Sequence, residues 1–177
     1  MTNYFLEENE LHTYEIEREL WMIKRLYIDT SVFGGYFDIE FDTVTRPFFT
    51  RVFKSSIRIL ISDILEFEIY NAPAFVQDFY ESIPAELIER VELTEEANAL
   101  AEKYIAEKVV GRISLADCQH IALATINKAD VLVSWNFKHI VNLERIKGYN
   151  AINYRQGYQM IEIRTPREIF NYENTTE

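Results

Sequence analysis

The sequence predicts an α/β domain in which a central, mainly parallel sheet lies between two layers of helices. Strands are predicted at residues 26–28, 58–61 and 129–134, where apolar residues do not alternate with polar ones. Such runs are typical of strands buried on both faces. Segments with the apolar spacing of amphipathic helices lie between them. Strands that alternate with helices favour a three-layer α/β/α arrangement.

A helix is predicted before the first strand. Residues 4–24 place Ile16, Leu20 and Ile23 on one face, which is the pattern of an amphipathic helix. We interpret residues 1–24 as an N-terminal helical extension and residues 25–177 as the domain, because no Pro- or Ser-rich linker marks a second domain. The extension either packs on its own domain or contacts a second copy or another protein.

The later elements are predicted from caps and helix breakers. Ser62 and Thr94 are suitable N-caps, and Gly111 is expected to end the helix that Thr94 begins. Thr165 and Glu168 match a capping box, so a terminal helix begins there. The predicted helices span about residues 46–54, 63–70, 73–82, 95–110, 115–127 and 137–143; short strands span residues 90–93 and 160–163; residues 144–158 are irregular or helical.

Composition bounds the function. The chain has 177 residues, 48% of them hydrophobic, and a net charge of −11, which fits one globular domain. The acidic balance argues against a protein with a basic nucleic-acid-binding face, but not against an enzyme that holds phosphate through a metal ion. The single cysteine, Cys118, excludes an intramolecular disulfide and a Cys-rich zinc site. Neither a signal peptide nor a bilayer-spanning run is recognisable, so we expect a cytoplasmic protein without membrane association.

Three carboxylates stand out by position. Asp29 follows the first strand, and ligands of α/β folds bind at the carboxyl ends of strands. Glu68 falls in an apolar helical stripe, where a carboxylate is costly unless it is paired or binds a cation, whereas Glu66 points away. Asp117 lies near a helix start. Each has a structural alternative, because Asp29 can cap a helix, Glu68 can form a salt bridge and Asp117 can form a capping box with Ser114.

Further polar side chains are expected near these carboxylates. Ser134 and Asn136 follow the third predicted strand, beside Asp29 if the two strands pair. His120 lies one helical turn from Asp117 and is placed to hydrogen-bond that carboxylate. The alternative for His120 is an ordinary buried histidine.

Carboxylates from distant segments repel one another, so a cation is the natural reason to gather them. Oxygen ligands with no Cys and few His favour Mg²⁺ or Mn²⁺ over zinc. Lys138 and His139 follow the polar cluster closely. They are either part of a solvated face or contacts for a phosphate group.

These segments resemble the PIN-domain ribonucleases. The resemblance covers roughly residues 25–170 and looks closest to the toxin components of bacterial VapBC-type toxin–antitoxin pairs. The matching pieces are Tyr27-Ile28-Asp29-Thr30-Ser31, Ser62 through Glu68-Ile69, Asp117-Cys118-Gln119-His120-Ile121-Ala122, and Leu132-Val133-Ser134-Trp135-Asn136-Phe137.

The resemblance implies a PIN-like domain with metal-dependent endoribonuclease activity on single-stranded RNA, often as a homodimer and with an antitoxin protein as partner. Asp29, Glu68 and Asp117 fall on the acidic motif positions of the family. Asn136 falls where many members carry a fourth acid, which weakens the expectation of a second metal ion.

The resulting hypothesis is phosphodiester hydrolysis. Asp29 and Asp117 are expected to hold Mg²⁺ or Mn²⁺, with Glu68 bound directly or through water. Thr30, Ser134 and His120 are expected to orient these ligands.

Two alternatives remain at this stage. One is a phosphatase or phosphotransferase with Asp29 as nucleophile, although a common Asp-based pattern needs a second Asp two residues later. The other is a catalytically silent PIN-like binding module.

Overall fold

The computed structural model describes residues 23–170, which form a five-stranded sheet between two layers of helices. All four strand pairings are parallel, and the strand order is β3-β2-β1-β4-β5. The predicted three-layer α/β/α fold is therefore confirmed. The strands are β1 (Arg25–Ile28), β2 (Arg58–Ser62), β3 (Ile88–Val91), β4 (Val131–Val133) and β5 (Glu162–Arg164).

Eight α-helices are described within this range, and two short 3-10 turns precede β3 and the sixth helix. None of the described helices is long and apolar enough to cross a membrane. The helices are α1 (Thr30–Gly35), α2 (Asp42–Lys54), α3 (Asp63–Tyr70), α4 (Ala74–Glu81), α5 (Glu95–Ala106), α6 (Leu115–Ile126), α7 (Leu143–Arg155) and α8 (Pro166–Phe170).

The sheet separates two hydrophobic cores because successive side chains of a strand point to opposite faces. Tyr27 of β1 belongs to the core that α5, α6 and α7 cover. Leu26 and Ile28 belong to the core that α1 to α4 cover. All three side chains are essentially fully buried, so β1 has no exposed face, as its unbroken apolar run predicts.

β1 lies in the middle of the sheet, and this places the polar residues that follow it. Ile28 is in register with Val133 of β4, and the Asp29 amide donates a hydrogen bond to the Val133 carbonyl over 2.9 Å. Parallel strands end at the same edge of a sheet. Asp29 and Ser134 are therefore neighbours, as the sequence predicted from the pairing of these two strands.

Several local predictions are confirmed by side-chain hydrogen bonds. The hydroxyl of Ser62 accepts from the third residue of α3, and that of Thr94 accepts from the third residue of α5. The capping box at α8 is complete, since the Glu168 carboxylate accepts from both the amide and the hydroxyl of Thr165, whose hydroxyl accepts from the Glu168 amide.

The segment between β1 and β2 differs in part from the sequence prediction. A six-residue helix, α1, begins at Thr30 with Asp29 as its N-cap, which confirms the capping alternative for Asp29, although no bounds were predicted for this helix. α2 begins at Asp42, not at Arg46, and contains Pro47. Proline removes one backbone donor from the helix, but Thr43, four residues earlier, is exposed, so water can satisfy its carbonyl.

The end of α5 was also placed incorrectly. The helix ends at Ala106, and Lys108 adopts the left-handed conformation with φ of 61°. The Val109 amide returns to the Tyr104 carbonyl over 3.0 Å, and Lys108 donates to the Ile105 carbonyl, which together form a Schellman motif. A lysine thus occupies the position that Gly111 was expected to hold.

The helix predicted for residues 137–143 is a turn. The carbonyl of Asn136 accepts from the amides of Ile140 and Val141, and Asn142 then caps α7. α7 extends through a region that the sequence left irregular or helical. β3 begins two residues before its predicted start, and β5 begins two residues after its own. The bounds of such short strands depend on hydrogen bonds to the neighbouring strand, which the sequence pattern does not contain.

The predicted helical extension lies almost entirely outside the described residues. Only Ile23 and Lys24 of it are described, and both are non-helical residues that lead into β1. The Lys24 and Arg25 amides donate to the carboxylate of Asp130 over 2.7 and 2.8 Å. Asp130 therefore joins the amino ends of β1 and β4.

Replacing Lys108 by glycine should stabilise the protein. The left-handed conformation costs an ordinary residue about 1–2 kcal/mol, and glycine removes this cost. The greater freedom of glycine in the unfolded chain offsets about 0.4–1 kcal/mol of the stabilisation. Lys108→Gly should therefore raise the free energy of unfolding by about 0.5–1 kcal/mol, measured by urea denaturation.

Gly111→Ala is the matched control. Gly111 has φ of −82°, and a methyl group there meets nothing within 4 Å, so this change should be tolerated. Destabilisation by Lys108→Gly, or a large loss with Gly111→Ala, would contradict the assignment of the helix end.

Candidate functional site

Asp29 is a buried carboxylate at the carboxyl end of the central strand. Its side chain is 7% exposed. One oxygen, Oδ2, accepts hydrogen bonds from the Ser31 hydroxyl, from the Ser31 amide over 3.3 Å and from the Ser134 hydroxyl over 2.8 Å. The other oxygen, Oδ1, accepts no hydrogen bond from any described residue. The structural interpretation of Asp29 as a helix cap is therefore confirmed, and it leaves Oδ1 free of described donors.

Two serines connect the ends of β1 and β4 around Asp29. The Ser31 and Ser134 hydroxyls are 3.3 Å apart, and Ser31 accepts from the Trp135 amide over 2.9 Å. The Ser134 hydroxyl accepts in turn from the backbone amide of Asn136 over 2.9 Å. Ser134 was expected at the site, whereas the role of Ser31 was missed. Its position two residues after a capping aspartate was the available signal.

Glu68 lies on the side of α3 that faces Asp29. Its Oε2 accepts hydrogen bonds from the Thr30 hydroxyl and from Nε2 of His120, the latter over 3.1 Å. Burial favours a higher pKa for this carboxyl, but the hydrogen bond and charge of His120 and the Thr30 hydrogen bond outweigh it and lower the pKa. Glu66 points elsewhere, toward the Tyr80 hydroxyl at 2.7 Å, as the helical phase predicted.

His120 lies beneath the carboxylates and is 2% exposed. Its Nδ1 is 2.7 Å from the Tyr27 hydroxyl, and its Nε2 is 3.8 Å from Oδ1 of Asp29. Burial lowers its pKa, but the hydrogen bond to Glu68 and the surrounding carboxylate charges raise it overall. The predicted hydrogen bond to Asp117 is wrong, because the ring turns across the sheet edge toward α3 instead of along its own helix.

Asp117 completes the group of carboxylates from α6. Its Oδ1 accepts from the amide nitrogen of Asn136 over 2.8 Å. Burial raises its pKa; His139 opposes this, and the charges of Asp29 and Glu68 raise the pKa further. The capping-box alternative is wrong, because the Ser114 hydroxyl makes no capping bond.

Asn136 reaches the site as a donor. Its amide oxygen accepts from the backbone N–H of His139 over 3.0 Å, which fixes the orientation of the amide, since a backbone N–H can only donate. The nitrogen therefore faces Asp117. In this arrangement Asn136 holds a carboxylate in place and keeps its own oxygen occupied.

The basic residues after Asn136 form the rim of the site. Lys138 is exposed, and His139 is partly buried with Nδ1 near the Ser114 hydroxyl, at 3.0 Å, and near the Arg145 guanidinium. Burial and the neighbouring positive charges lower the pKa of His139 despite the charge of Asp117. Arg145 was not predicted, because it lies on α7, nine residues beyond the motif.

Trp135 is a core residue. It is 7% exposed and its indole N–H donates to the Thr45 hydroxyl over 3.0 Å. The ring stacks on Phe41 with 4.6 Å between centroids. A methyl group on Gly35 would approach the indole to 2.7 Å, so glycine at that position lets the ring pack against α1.

The carboxylates fit a hard cation by their chemistry. Within residues 23–170, no three side chains among His, Cys, Asp and Glu are arranged as a ready-made metal site. Yet Oδ1 of Asp29, Oε1 of Glu68 and Oδ2 of Asp117 accept no hydrogen bonds from described residues, although each carboxylate is at least partly buried. Such oxygens are suitable ligands for Mg²⁺ or Mn²⁺.

A comparison with family models matches residues 26–138 to the PIN domain. The chain belongs to the PIN-domain family. The matched segment includes Asp29, Glu68, Asp117 and Asn136. PIN domains are typically nucleases and generally use divalent metal ions.

Among solved structures, the chain is similar to VapBC2 from Rickettsia felis bound to a DNA fragment from its promoter. The identity is 13%, the TM-score is 0.49, and the similarity covers 80% of this chain and 98% of the other. No curated protein sequence matches the chain.

Replacing Asp117 by asparagine should stabilise the metal-free PIN domain. Folding raises the pKa of the Asp117 carboxyl. The protein therefore loses stability as the pH rises from the pKa of this group in the unfolded chain through its pKa in the folded chain, and ionised Asp117 opposes folding at neutral pH. Asp117→Asn should melt at a higher temperature than the unaltered protein in EDTA. An equal or lower melting temperature would indicate that the carboxylates do not repel one another.

Proposed function

We propose that this PIN domain is a metal-dependent endoribonuclease that hydrolyses phosphodiester bonds of single-stranded RNA. The observation that carries the proposal is the gathering of Asp29, Glu68 and Asp117 from β1, α3 and α6, each with one oxygen that accepts no hydrogen bond from the described residues. Repelling carboxylates that face one site are best explained by a cation.

The proposed ion is Mg²⁺ or Mn²⁺, held by Asp29 and Asp117 with Glu68 bound directly or through water. When bound, such an ion neutralises phosphate oxygens and lowers the pKa of water to generate a nucleophile. The donors around the carboxylates keep the ligand oxygens in place. Ser31 and Ser134 hold Asp29, Thr30 holds Glu68 and Asn136 holds Asp117.

The substrate is proposed to meet the basic rim first. Lys138 and His139 lie close to Asn136, and Arg145 contacts His139. Lys138 and Arg145 bring positive charge near the carboxylates of an otherwise acidic chain, whereas the lowered pKa of His139 favours its neutral form. Single-stranded RNA presents phosphates that these side chains can contact without a large basic face.

We also propose that the protein acts as the toxin of a toxin–antitoxin pair, as a homodimer and with an antitoxin protein as partner. The support is the resemblance of the sequence segments around Asp29, Glu68, Asp117 and Asn136. Induced expression of the unaltered chain should arrest bacterial growth, and Asp29→Asn should not. Equal growth of the two strains would argue against a toxin.

The first test is RNA cleavage with Mg²⁺ or Mn²⁺, with and without EDTA. Cleavage of an unstructured oligoribonucleotide should require the metal and should fall about 100-fold or more in Asp29→Asn, which keeps the shape but removes a charge that stabilises the reaction. Asp78→Asn is the matched control, because Asp78 is exposed on α4 and its carboxylate is not among the groups that contact Asp29, Glu68 or Asp117. Cleavage that survives EDTA, or full activity in Asp29→Asn, rules out this mechanism.

The second test concerns Asn136. Asn136→Asp replaces a donor by a negative charge near Asp117, so the metal-free protein should lose stability through repulsion while metal binding tightens. Both proteins should be titrated with Mn²⁺ by calorimetry and melted with and without the metal. If they bind and melt alike, Asn136 is not part of the site.

A further inference from the structure

A buried series of hydrogen bonds leads from the backbone of α3 to the carboxylate of Glu68. The Leu65 amide donates to the Ser62 hydroxyl over 3.2 Å, and that hydroxyl is 2.8 Å from the hydroxyl of Tyr27. The Tyr27 hydroxyl is 2.7 Å from Nδ1 of His120, whose Nε2 is 3.1 Å from Oε2 of Glu68. Ser62 and Tyr27 are completely buried, and His120 nearly so.

The hydrogen bond between Nε2 of His120 and Oε2 of Glu68 has only one possible direction. An ionised carboxylate can only accept, so Nε2 of His120 must carry the hydrogen. This holds for the neutral ring, in which Tyr27 donates to Nδ1, and for the charged ring, in which both nitrogens donate. Tyr27 stays protonated in either case, because burial raises its pKa well above the ordinary value.

The ring of His120 is held on more than one side. Tyr27 packs against it edge to face with 5.8 Å between ring centroids, and Ser62 fixes the Tyr27 hydroxyl from the end of β2. His120 itself stands on α6. Its position is therefore set by contacts from two neighbouring strands and by its own helix.

Glu68, by contrast, depends on its donors. It is partly exposed at the sheet edge, and its Oε2 accepts from both Thr30 and His120. Its Oε1 accepts from no described residue. The two donors occupy Oε2 and leave Oε1 without a partner among the described residues.

We propose that His120 is the positioning residue for Glu68, and that by holding Oε2 it leaves Oε1 as the oxygen that meets the cation or a water bound to it. The inference rests on the proposed metal-dependent function. It differs from the expected pairing of His120 with Asp117, and it assigns Tyr27 and Ser62 the task of holding the imidazole.

The test compares two replacements of His120. In His120→Gln the amide nitrogen lies close to the place of Nε2 and keeps the donor to Glu68. In His120→Asn the side chain is too short to reach Glu68, and its amide lies close to the place of Nδ1, which faces Tyr27. Calorimetric titration with Mn²⁺ should give binding about tenfold or more weaker for His120→Asn, and only a few-fold weaker for His120→Gln.

A double-mutant cycle distinguishes positioning from a general structural role. If His120 acts through Glu68, His120→Asn should weaken Mn²⁺ binding much less in a Glu68→Gln background than in the unaltered protein. Equal weakening in both backgrounds, or unaltered Mn²⁺ binding by folded His120→Asn, would overturn the proposal. Melting temperatures measured in EDTA establish that each variant is folded.

Tyr27→Phe provides a second variant in case His120→Asn does not fold. It keeps the aromatic ring and removes only the hydroxyl that fixes Nδ1, so Mn²⁺ binding should weaken measurably; unchanged binding would overturn the proposal. If the unaltered protein binds no Mn²⁺, the proposed function fails and this inference fails with it. If it binds Mn²⁺ and these variants bind equally well, only the role of His120 is rejected.

Discussion

Burial of the Asp29 carboxylate at the end of the central strand is the constraint that organises this edge of the sheet. A buried carboxylate is costly unless hydrogen-bond donors surround it. The Ser31 hydroxyl and amide and the Ser134 hydroxyl supply those donors to one oxygen. Because Ser31 belongs to α1 and Ser134 follows β4, satisfying Asp29 also fixes how the helix and the neighbouring strand leave the sheet.

The other two carboxyl groups are shifted in opposite directions. Burial favours a higher pKa for both, but the hydrogen bond and charge of His120 and the Thr30 hydrogen bond lower the pKa of Glu68. At Asp117 the charge of His139 does not offset burial, and the pKa is raised. His120 is the buried group that offsets part of the repulsion. The site therefore contains more negative charge than its described partners balance, which is the physical basis for proposing a divalent cation there.

Much of the fold could be predicted because its determinants are local. The continuous apolar run of β1 predicts a strand buried on both faces, and the caps at Ser62, Thr94 and Thr165 act through hydrogen bonds within four residues. Lys108 could not be predicted as a helix end, because it adopts a left-handed conformation that lysine does not favour and that no residue pattern around it indicates.

The proximity of some candidate residues was predictable from the sequence, but their hydrogen bonds were not. The sequence placed Asp29 and Ser134 together through strand pairing, which is a general property of parallel sheets. It paired His120 with Asp117, because the two are close along one helix, whereas the ring in fact contacts Tyr27 and Glu68 from other elements. The orientation of a side chain between elements depends on packing that spacing along the chain does not contain.

The most direct test of the account is anomalous diffraction from crystals grown with Mn²⁺. The account predicts a single strong manganese peak at the carboxyl edge of the sheet, beside Oδ1 of Asp29 and the carboxylate of Asp117, with Oε1 of Glu68 facing it. Oε2 of Glu68 should still accept from His120 in that crystal. A well-ordered structure from saturating Mn²⁺ with no peak between Asp29 and Asp117 would contradict the account.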